Sequence, residues 1–301
     1  MQEYIFFSLS ANKKLASELV KYPNCQLGEI SVTHFADEEV LVKTLTDVKG
    51  KDVVVIESTA SKAHETLFQL LLLLDSINRG GAKSVKLFIP YLGYSRQERG
   101  YDSEPNSCEV VAKILETAKY DRLYSFDLHH PDIKTFFKRS IFELAVTPIF
   151  KDYYSNYLKE HNLSLDDLVI VSPDHGANSR SSLLADALKI NKRIILNKVR
   201  PAPNVAEHLE LSEDCVKDKT CIIIDDIIDT GGTLCSASKL LYAHGAKSVL
   251  VGATHGVFSK NCVEKLLSAG INDIAVTNTI EKEYPQEVKV VNILPIVLKY
   301  V

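Results

Sequence analysis

No two of the six cysteines, Cys25, Cys108, Cys215, Cys221, Cys235 and Cys262, stand in a metal-ligand spacing. That excludes a zinc module and a disulfide scaffold. A positive net charge is also lacking, since 35 Lys and Arg against 39 Asp and Glu leave a formal −4. Nothing in that balance attracts nucleic acid or an anionic membrane in general. Long apolar runs are missing too: LFQLLLLLDSI contains Gln69 and is stopped by Asp75, far short of a bilayer span. The opening MQEYIFFSLSANKK has no basic start and is apolar only from Tyr4 to Phe7, which is not a signal peptide. These absences predict a cytoplasmic protein with no nucleic-acid or membrane partner, which must hold any phosphorylated ligand in a specific site.

What is present is an alternation of buried strands and helices. Apolar, β-branched runs such as DVVVIES (52–58) and TCIIIDD (220–226) alternate with helical patterns at 63–78 and 233–244. Continuous rather than every-second hydrophobicity, as in SVKLFIP, LVIVSPD and SVLVGAT, marks strands buried on both faces, and therefore an α/β fold with parallel sheets flanked by helices. Ligands of such sheets bind beyond the carboxyl ends of the strands. The chain of 301 residues exceeds the roughly 250–300 at which single cores stop growing. An internal echo points the same way: GAKSVKLFIPYLGYS begins at Gly81 and GAKSVLVGATHGVFS at Gly245. Gly-Ala-Lys is also ordinary helix-end chemistry, but two related domains, residues 1–146 and 147–301, account for the whole echo.

The segment with most chemical content is CIIIDDIIDTGGTL, residues 221–234. A strand runs into Asp225 and Asp226, then Asp229, and then Thr230-Gly231-Gly232-Thr233 ahead of a helix. The glycines let several N–H groups converge, the threonines add hydroxyls, and the helix adds its positive end, which together make a phosphate cradle. Like charge keeps the two adjacent acids off the phosphate, yet as acceptors they suit sugar hydroxyls, so a phosphorylated sugar fits both halves. A capped helix with a glycine turn and solvated acids would use the same residues. Other chemistry-bearing segments are SRQER (95–99), FDLHH (126–130), SPDHGANSR (172–180) and NKVRPAPN (197–204). Each has a plainer reading, respectively a salt-bridged loop, a capped strand end, a helix cap and a basic surface loop.

The phosphate segment resembles the phosphoribosyl loop of the phosphoribosyltransferase fold group. More closely, the chain resembles the ribose-phosphate pyrophosphokinase family, because HFADEEV (34–40), IPYLGYSRQER (89–99), FDLHHPDIKTFF (126–137), VSPDHGANSR (171–180), NKVRPAPNV (197–205), DDIIDTGGTL and ATHGVFS (253–259) occur in the family's order. The resemblance implies two phosphoribosyltransferase-like domains and transfer of the β,γ-diphosphoryl group of ATP to ribose 5-phosphate, with Mg²⁺ as cofactor. It implies ATP contacts at Arg96, Gln97, Arg99 and His129, and at Phe35, Asp37 and Glu39 reaching in from a neighbouring subunit of a homo-oligomer. Asp127, His129 and Asp174 would belong to the metal site. Asp174, Asp225, Asp226, Asp229 and the 230–233 loop would hold ribose 5-phosphate, and Lys198 and Arg200 would be catalytic. Arg180 would order nearby anions, while His130 is set behind His129.

Two rival readings follow from the same motifs: a phosphoribosyltransferase consuming the diphosphate, and a non-catalytic regulatory subunit. The chain departs from the family pattern at Ala177, where a second glycine is usual, and at Val199. GYDSEPNS after Arg99 lacks an arginine-rich character, and LPIVLKYV ends the chain without the longer final helix. Ala177 bears on the width of the sugar-phosphate pocket and Val199 adds no charge between the two cations, while the last two departures bear on regulation and assembly more than on the reaction.

Overall fold

A computed structural model describes residues 3–60, 62–199, 208–211 and 215–301, with the backbone alone for 197–199 and 208–210. The chain divides into two compact units: Met1–Leu144 with Thr279–Lys282 and Ile293–Val301, and Ala145–Asn278 with Glu283–Asn292. The boundary thus falls two residues before the expected 146/147. Two segments expected in the second domain pack instead with the first.

The first unit runs β1 (Tyr4–Phe7), α1 (Lys13–Leu19), β2 (Cys25–Leu27), β3 (Ile30–His34), β4 (Val40–Thr44), β5 (Asp52–Ile56), α2 (Ala63–Arg79), β6 (Ser84–Phe88), α3 (Ser107–Leu115), β7 (Arg122–Phe126) and β8 (Ile141–Leu144). Its sheet has the order β2-β1-β5-β6-β7-β8, parallel throughout. Every residue of β5 is buried, as its unbroken valine run requires. Val53, Val55, Leu70, Leu74 and Leu87 pack into one core. The antiparallel pair β3–β4 stands apart from the sheet as a flap.

The second unit runs α4 (Thr147–Glu160), β9 (Leu168–Ser172), α5 (Asn178–Leu188), β10 (Arg193–Ile195), β11 (Asn197–Val199), β12 (His208–Glu210), β13 (Thr220–Ile228), α6 (Gly232–Ala243), β14 (Ser248–Gly256), α7 (Cys262–Ser268), β15 (Ile271–Thr277) and β16 (Val288–Val291). Its order, β10-β9-β13-β14-β15-β16, is again all parallel and repeats that of the first unit strand for strand. An antiparallel flap, β11–β12, occupies the same place in chain order as β3–β4.

The sequence echo lies on this repeat. Gly81 and Gly245 end α2 and α6 with φ of +81° and +83°, the left-handed conformation glycine takes at least cost. Their carbonyls accept the N–H groups of Gly50 and Asp218 at 2.9 Å, which join the entry of each central strand to its neighbour. Among the described residues no helix is long and apolar enough to cross a membrane.

The returning segments have specific reasons to join the first unit. Asn12 makes no capping bond at the start of α1; instead Glu281 accepts the N–H groups of Lys14 and Leu15 at 2.7 and 3.4 Å. The final helix α8 (Leu294–Val297) leads to Tyr300, whose ring lies 5.4 Å from that of Tyr124 and whose carbonyl accepts from Lys86 Nζ at 2.9 Å.

Candidate active site

In both sheets the strand order reverses at the first strand, between β1 and β5 and between β9 and β13. Such switch points open a crevice beyond the carboxyl ends of the strands. The two units fill theirs differently. In the first, Glu57 follows β5 fully buried, and its carboxylate accepts from Ser8 Oγ, Leu9 N, Ser10 N and Ala11 N at 3.1, 2.8, 3.1 and 2.9 Å. That crevice is occupied by the unit's own side chain.

In the second unit β13 continues past its last pairing with β9 at Ile223, carrying Asp225 and Asp226 into the crevice. Asp225 Oδ1 accepts the Asp226 N–H at 2.9 Å, and the Arg180 guanidinium stands 3.8 Å from Asp226. Burial first, and then the Asp226 charge, push the Asp225 carboxyl well above the usual carboxylate range. Asp226 is the more shielded of the two, 5% exposed, and faces a cation, while burial and the Asp226 charge both bear on Asp225.

The turn into α6 follows. Gly231 has φ +77°, and a Cβ there would lie 2.9 Å from Cys262 Sγ, so glycine is demanded by both conformation and packing. At Gly232 a Cβ would meet nothing within 4 Å. Packing does not ask for glycine there, and the bare backbone faces open space, with Thr230 and Thr233 also exposed. A cavity of about 450 Å³ adjoins the loop and is lined by Thr230, Gly232, Lys239 and Lys265 among others.

On the neighbouring strand, Asp174 lies just beyond β9. Its carbonyl accepts from Ser172 Oγ at 2.6 Å and its carboxylate from Ala177 N at 3.1 Å, a turn that closes ahead of α5, which itself has no side-chain cap bond. Ala177 is buried, with ordinary helical φ −82° and ψ −5°. Its methyl group therefore imposes no backbone strain on the loop.

The remaining expected residues of the first unit lie at strand ends and the flap tip. Asp127 follows β7 with φ +31°, an unusual backbone for a non-glycine residue and of the kind that clusters at functional sites. Its N–H reaches Leu144 O at 3.2 Å, and His129 follows half-buried. Arg96, Gln97 and Arg99 are exposed on the loop after β6. That loop is pinned by Cys108 N to Gln97 O at 3.1 Å and Asn106 Nδ2 to Glu98 O at 2.9 Å. Phe35, Asp37 and Glu39 form the β3–β4 tip: Phe35 is 53% exposed, and Asp37 accepts the Glu39 N–H at 3.2 Å. Lys198 sits in β11, its backbone opposite Leu209 of β12. Arg200 lies outside the described residues.

Relatives with the same architecture decide the family. The N-terminal domain of ribose phosphate pyrophosphokinase, as a family model, matches residues 4–118, and the phosphoribosyl transferase domain matches 134–270. The ribose-phosphate pyrophosphokinase of Bacillus subtilis is 41% identical over 285 residues, covering 94% of this chain and 87% of that protein. The chain belongs to the ribose-phosphate pyrophosphokinase family. The homologue from Corynebacterium ammoniagenes is 40% identical over the same shares of both chains. The crystal structure of phosphoribosylpyrophosphate synthetase from Mycobacterium smegmatis superposes with a TM-score of 0.87 at 31% identity, covering 99% of this chain and 97% of that one.

Within this family frame two contacts go beyond the motifs. Arg180 stands 3.8 Å from Asp226 of the acid pair, although the sequence marks it only as a general anion-ordering residue. His130, set behind His129 on sequence grounds, places its ring on Arg99. Neither pairing has a local spacing signature. The signal available for His130 is a second imidazole at a strand end that carries an arginine loop beside it.

Proposed function

We propose that the protein transfers the β,γ-diphosphoryl group of ATP to the anomeric hydroxyl of ribose 5-phosphate, giving phosphoribosyl diphosphate and AMP. The anomeric oxygen forms a bond to the β-phosphorus while the bond from that phosphorus to the α,β-bridging oxygen breaks, and AMP leaves with that oxygen. The observation that carries this reading is the run from Asp225 through Thr233. One continuous strand-to-helix segment presents two acceptor acids and then a glycine backbone facing open space. That matches a sugar with hydroxyls at one end and a phosphate at the other. Asp225 and Asp226 would hold the ribose hydroxyls, and the 230–233 loop the 5-phosphate, with Asp229 and Asp174 beside them. Arg96, Gln97, Arg99 and His129 would bind ATP. Lys198 and Arg200 would stabilise charge on the transferring group, since positioning and electrostatics carry such reactions.

Mg²⁺ fits the donors present. Among the described residues no group of three or more metal-binding side chains is assembled, and Mg²⁺ needs none, because it keeps water and is held by one or two carboxylates together with substrate phosphates. In the first unit Asp127 offers such a carboxylate, with His129 close by in sequence, and in the second unit Asp174 offers another. The ion would neutralise the polyphosphate and align it. The exposed tip of Phe35, Asp37 and Glu39 suits completion of a neighbour's nucleotide site in a homo-oligomer, with the aromatic ring stacking on a base. A cytoplasmic setting agrees with the free cysteines.

A transferase that merely consumes the diphosphate is disfavoured, because the first half of the chain matches the pyrophosphokinase N-terminal domain. AMP release from ATP, assayed with Mg²⁺ and with or without ribose 5-phosphate, tests the proposal. The expected result is AMP formation that depends strictly on the sugar. A folded protein that forms no AMP would instead be a regulatory subunit.

A further inference from the structure

Of the family's motifs, ATHGVFS (253–259) alone supplies no proposed ligand contact. It carries the chain past Gly256, the last residue of β14, alongside the entry to the phosphate loop. Val257 N and Phe258 N both donate to Ile228 O at 2.9 Å, and Ser259 N donates to Asp229 O at 3.0 Å. A carbonyl oxygen has two lone pairs, so Ile228 can take both of its donors. Two consecutive carbonyls are thus held from the neighbouring segment immediately before Thr230.

The backbone that delivers these N–H groups is a costly one. Phe258 has φ +46°, the left-handed region that a residue with a β-carbon avoids, and such a conformation persists only where its surroundings over-determine it. Here the surroundings are a clasp around the phenyl ring. A Cβ on Gly256 would lie 2.7 Å from Phe258 Cε2 and 3.1 Å from Tyr284 Cε1, so the rings pack directly on the glycine backbone. The Tyr284 ring meets that of Phe258 edge-on, with centroids 5.8 Å apart and planes at 79°, and its hydroxyl donates to Gly256 O at 3.2 Å. Both rings rest on the apolar core of the second unit.

A peptide group is planar and trans, so a carbonyl held to one side turns the following N–H to the other. With Asp229 O held on Ser259, the Thr230 N–H points away from the 257–259 segment. We infer that Phe258 is a positioning residue for the phosphate loop: its clasped ring keeps three N–H groups on Ile228 and Asp229 and so fixes the first peptide of the 230–233 cradle before the sugar phosphate arrives. This rests on the reading that the cradle receives the 5-phosphate. Orienting a donor in advance removes an ordering cost from binding, so the benefit appears in affinity for ribose 5-phosphate and not for ATP.

The test is steady-state kinetics of the full chain carrying Phe258→Ala, Phe258→Gly, Phe258→Leu or Phe258→Tyr, with Gly232→Ala as the reference for the loop itself and a thermal melt of each. Phe258→Ala should raise KM for ribose 5-phosphate about tenfold, the scale of one hydrogen bond to a charged group, with KM for ATP and kcat nearly unchanged. Phe258→Gly also loses the ring but suits the left-handed backbone, so it should melt higher than Phe258→Ala while KM stays raised. A purely structural role predicts instead that KM falls back as the melting temperature recovers. Phe258→Tyr keeps the ring and should restore the parent KM. Phe258→Leu fills the core without the edge contact, so it should fold even where the smaller variants do not, and still raise KM for the sugar. If Gly232→Ala raises KM for ribose 5-phosphate while the Ala, Gly and Leu variants do not, or if those variants raise KM for ATP equally, the positioning role is wrong and the loop keeps its phosphate. If neither Gly232→Ala nor any Phe258 variant moves KM for ribose 5-phosphate, both readings are wrong.

Discussion

The Arg180 guanidinium stands 3.8 Å from the Asp226 carboxylate, with the two side chains only 16% and 7% exposed. Removing one partner of a shielded pair leaves the other charge poorly compensated. Because 3.8 Å is long for a bond, the effect should fall below that of a tight pair. Arg180→Met should raise KM for ribose 5-phosphate about tenfold, which is roughly 1.4 kcal/mol, with KM for ATP much less affected. Equal shifts for both substrates would remove Arg180 from the sugar site.

The two glycines of the phosphate loop separate structure from binding. Gly231→Ala places a Cβ at φ +77° against Cys262 and should lower unfolding free energy by about 1–3 kcal/mol. Gly232→Ala meets no protein atom and gains helix propensity at the first position of α6, so its melting temperature should match or exceed that of the parent. If the bare backbone receives the 5-phosphate, Gly232→Ala should nonetheless lose ribose 5-phosphate affinity. A fully active Gly232→Ala would place the phosphate elsewhere.

Glu57 links stability to pH. Burial raises its pKa, against the four donors that favour the charged form. A native carboxyl that holds its proton to higher pH than the unfolded chain makes stability fall as pH rises. This contribution is fully present below the ordinary glutamate value of about 4.3 and is lost as pH passes the raised folded value. Glu57→Gln should remove that slope in denaturant titrations run across the acidic range. It should also cost about 1–3 kcal/mol, because an amide nitrogen cannot accept from the N–H groups that meet the carboxylate. An unchanged pH slope would mean that another group carries it.

The parts that can be read in the sequence are those whose physics is local. Burial on both faces writes an unbroken apolar run, as in β5 and β9. A left-handed helix end writes glycine, as at Gly81 and Gly245. The loop from Asp225 to Thr233 is likewise local, because strand, acids, glycines and helix are consecutive. Long-range pairings leave no such mark. Tyr300 reaches Tyr124 and Glu281 caps α1 through contacts that no spacing encodes, so the sequence alone does not show that both segments pack with the first unit. Arg99 and His130 are 31 residues apart and meet because β6 and β7 are neighbours in the sheet. The unequal surroundings of Asp225 and Asp226 depend on Arg180, which belongs to a different strand-helix unit of the same sheet.

Lys198 and Arg200 carry the sharpest catalytic prediction. Alternate positions on an extended segment project to one side, and the strand conformation of Lys198 in β11 meets that condition for the first of the two. Two cations on one side can share the charge of a transferring diphosphoryl group, which is greatest as the bond to the leaving AMP breaks. A contribution of that kind lowers kcat more than it raises KM. The double replacement Lys198→Ala with Arg200→Ala should cut kcat by about a thousandfold or more, the scale at which lost charge stabilisation acts in phosphoryl transfer. Ribose 5-phosphate binding by calorimetry should remain within a few fold, because the Asp225 to Thr233 segment is intact. Turnover close to the parent would reject the catalytic role of both residues, whereas loss of sugar binding would place them in the sugar-phosphate site instead.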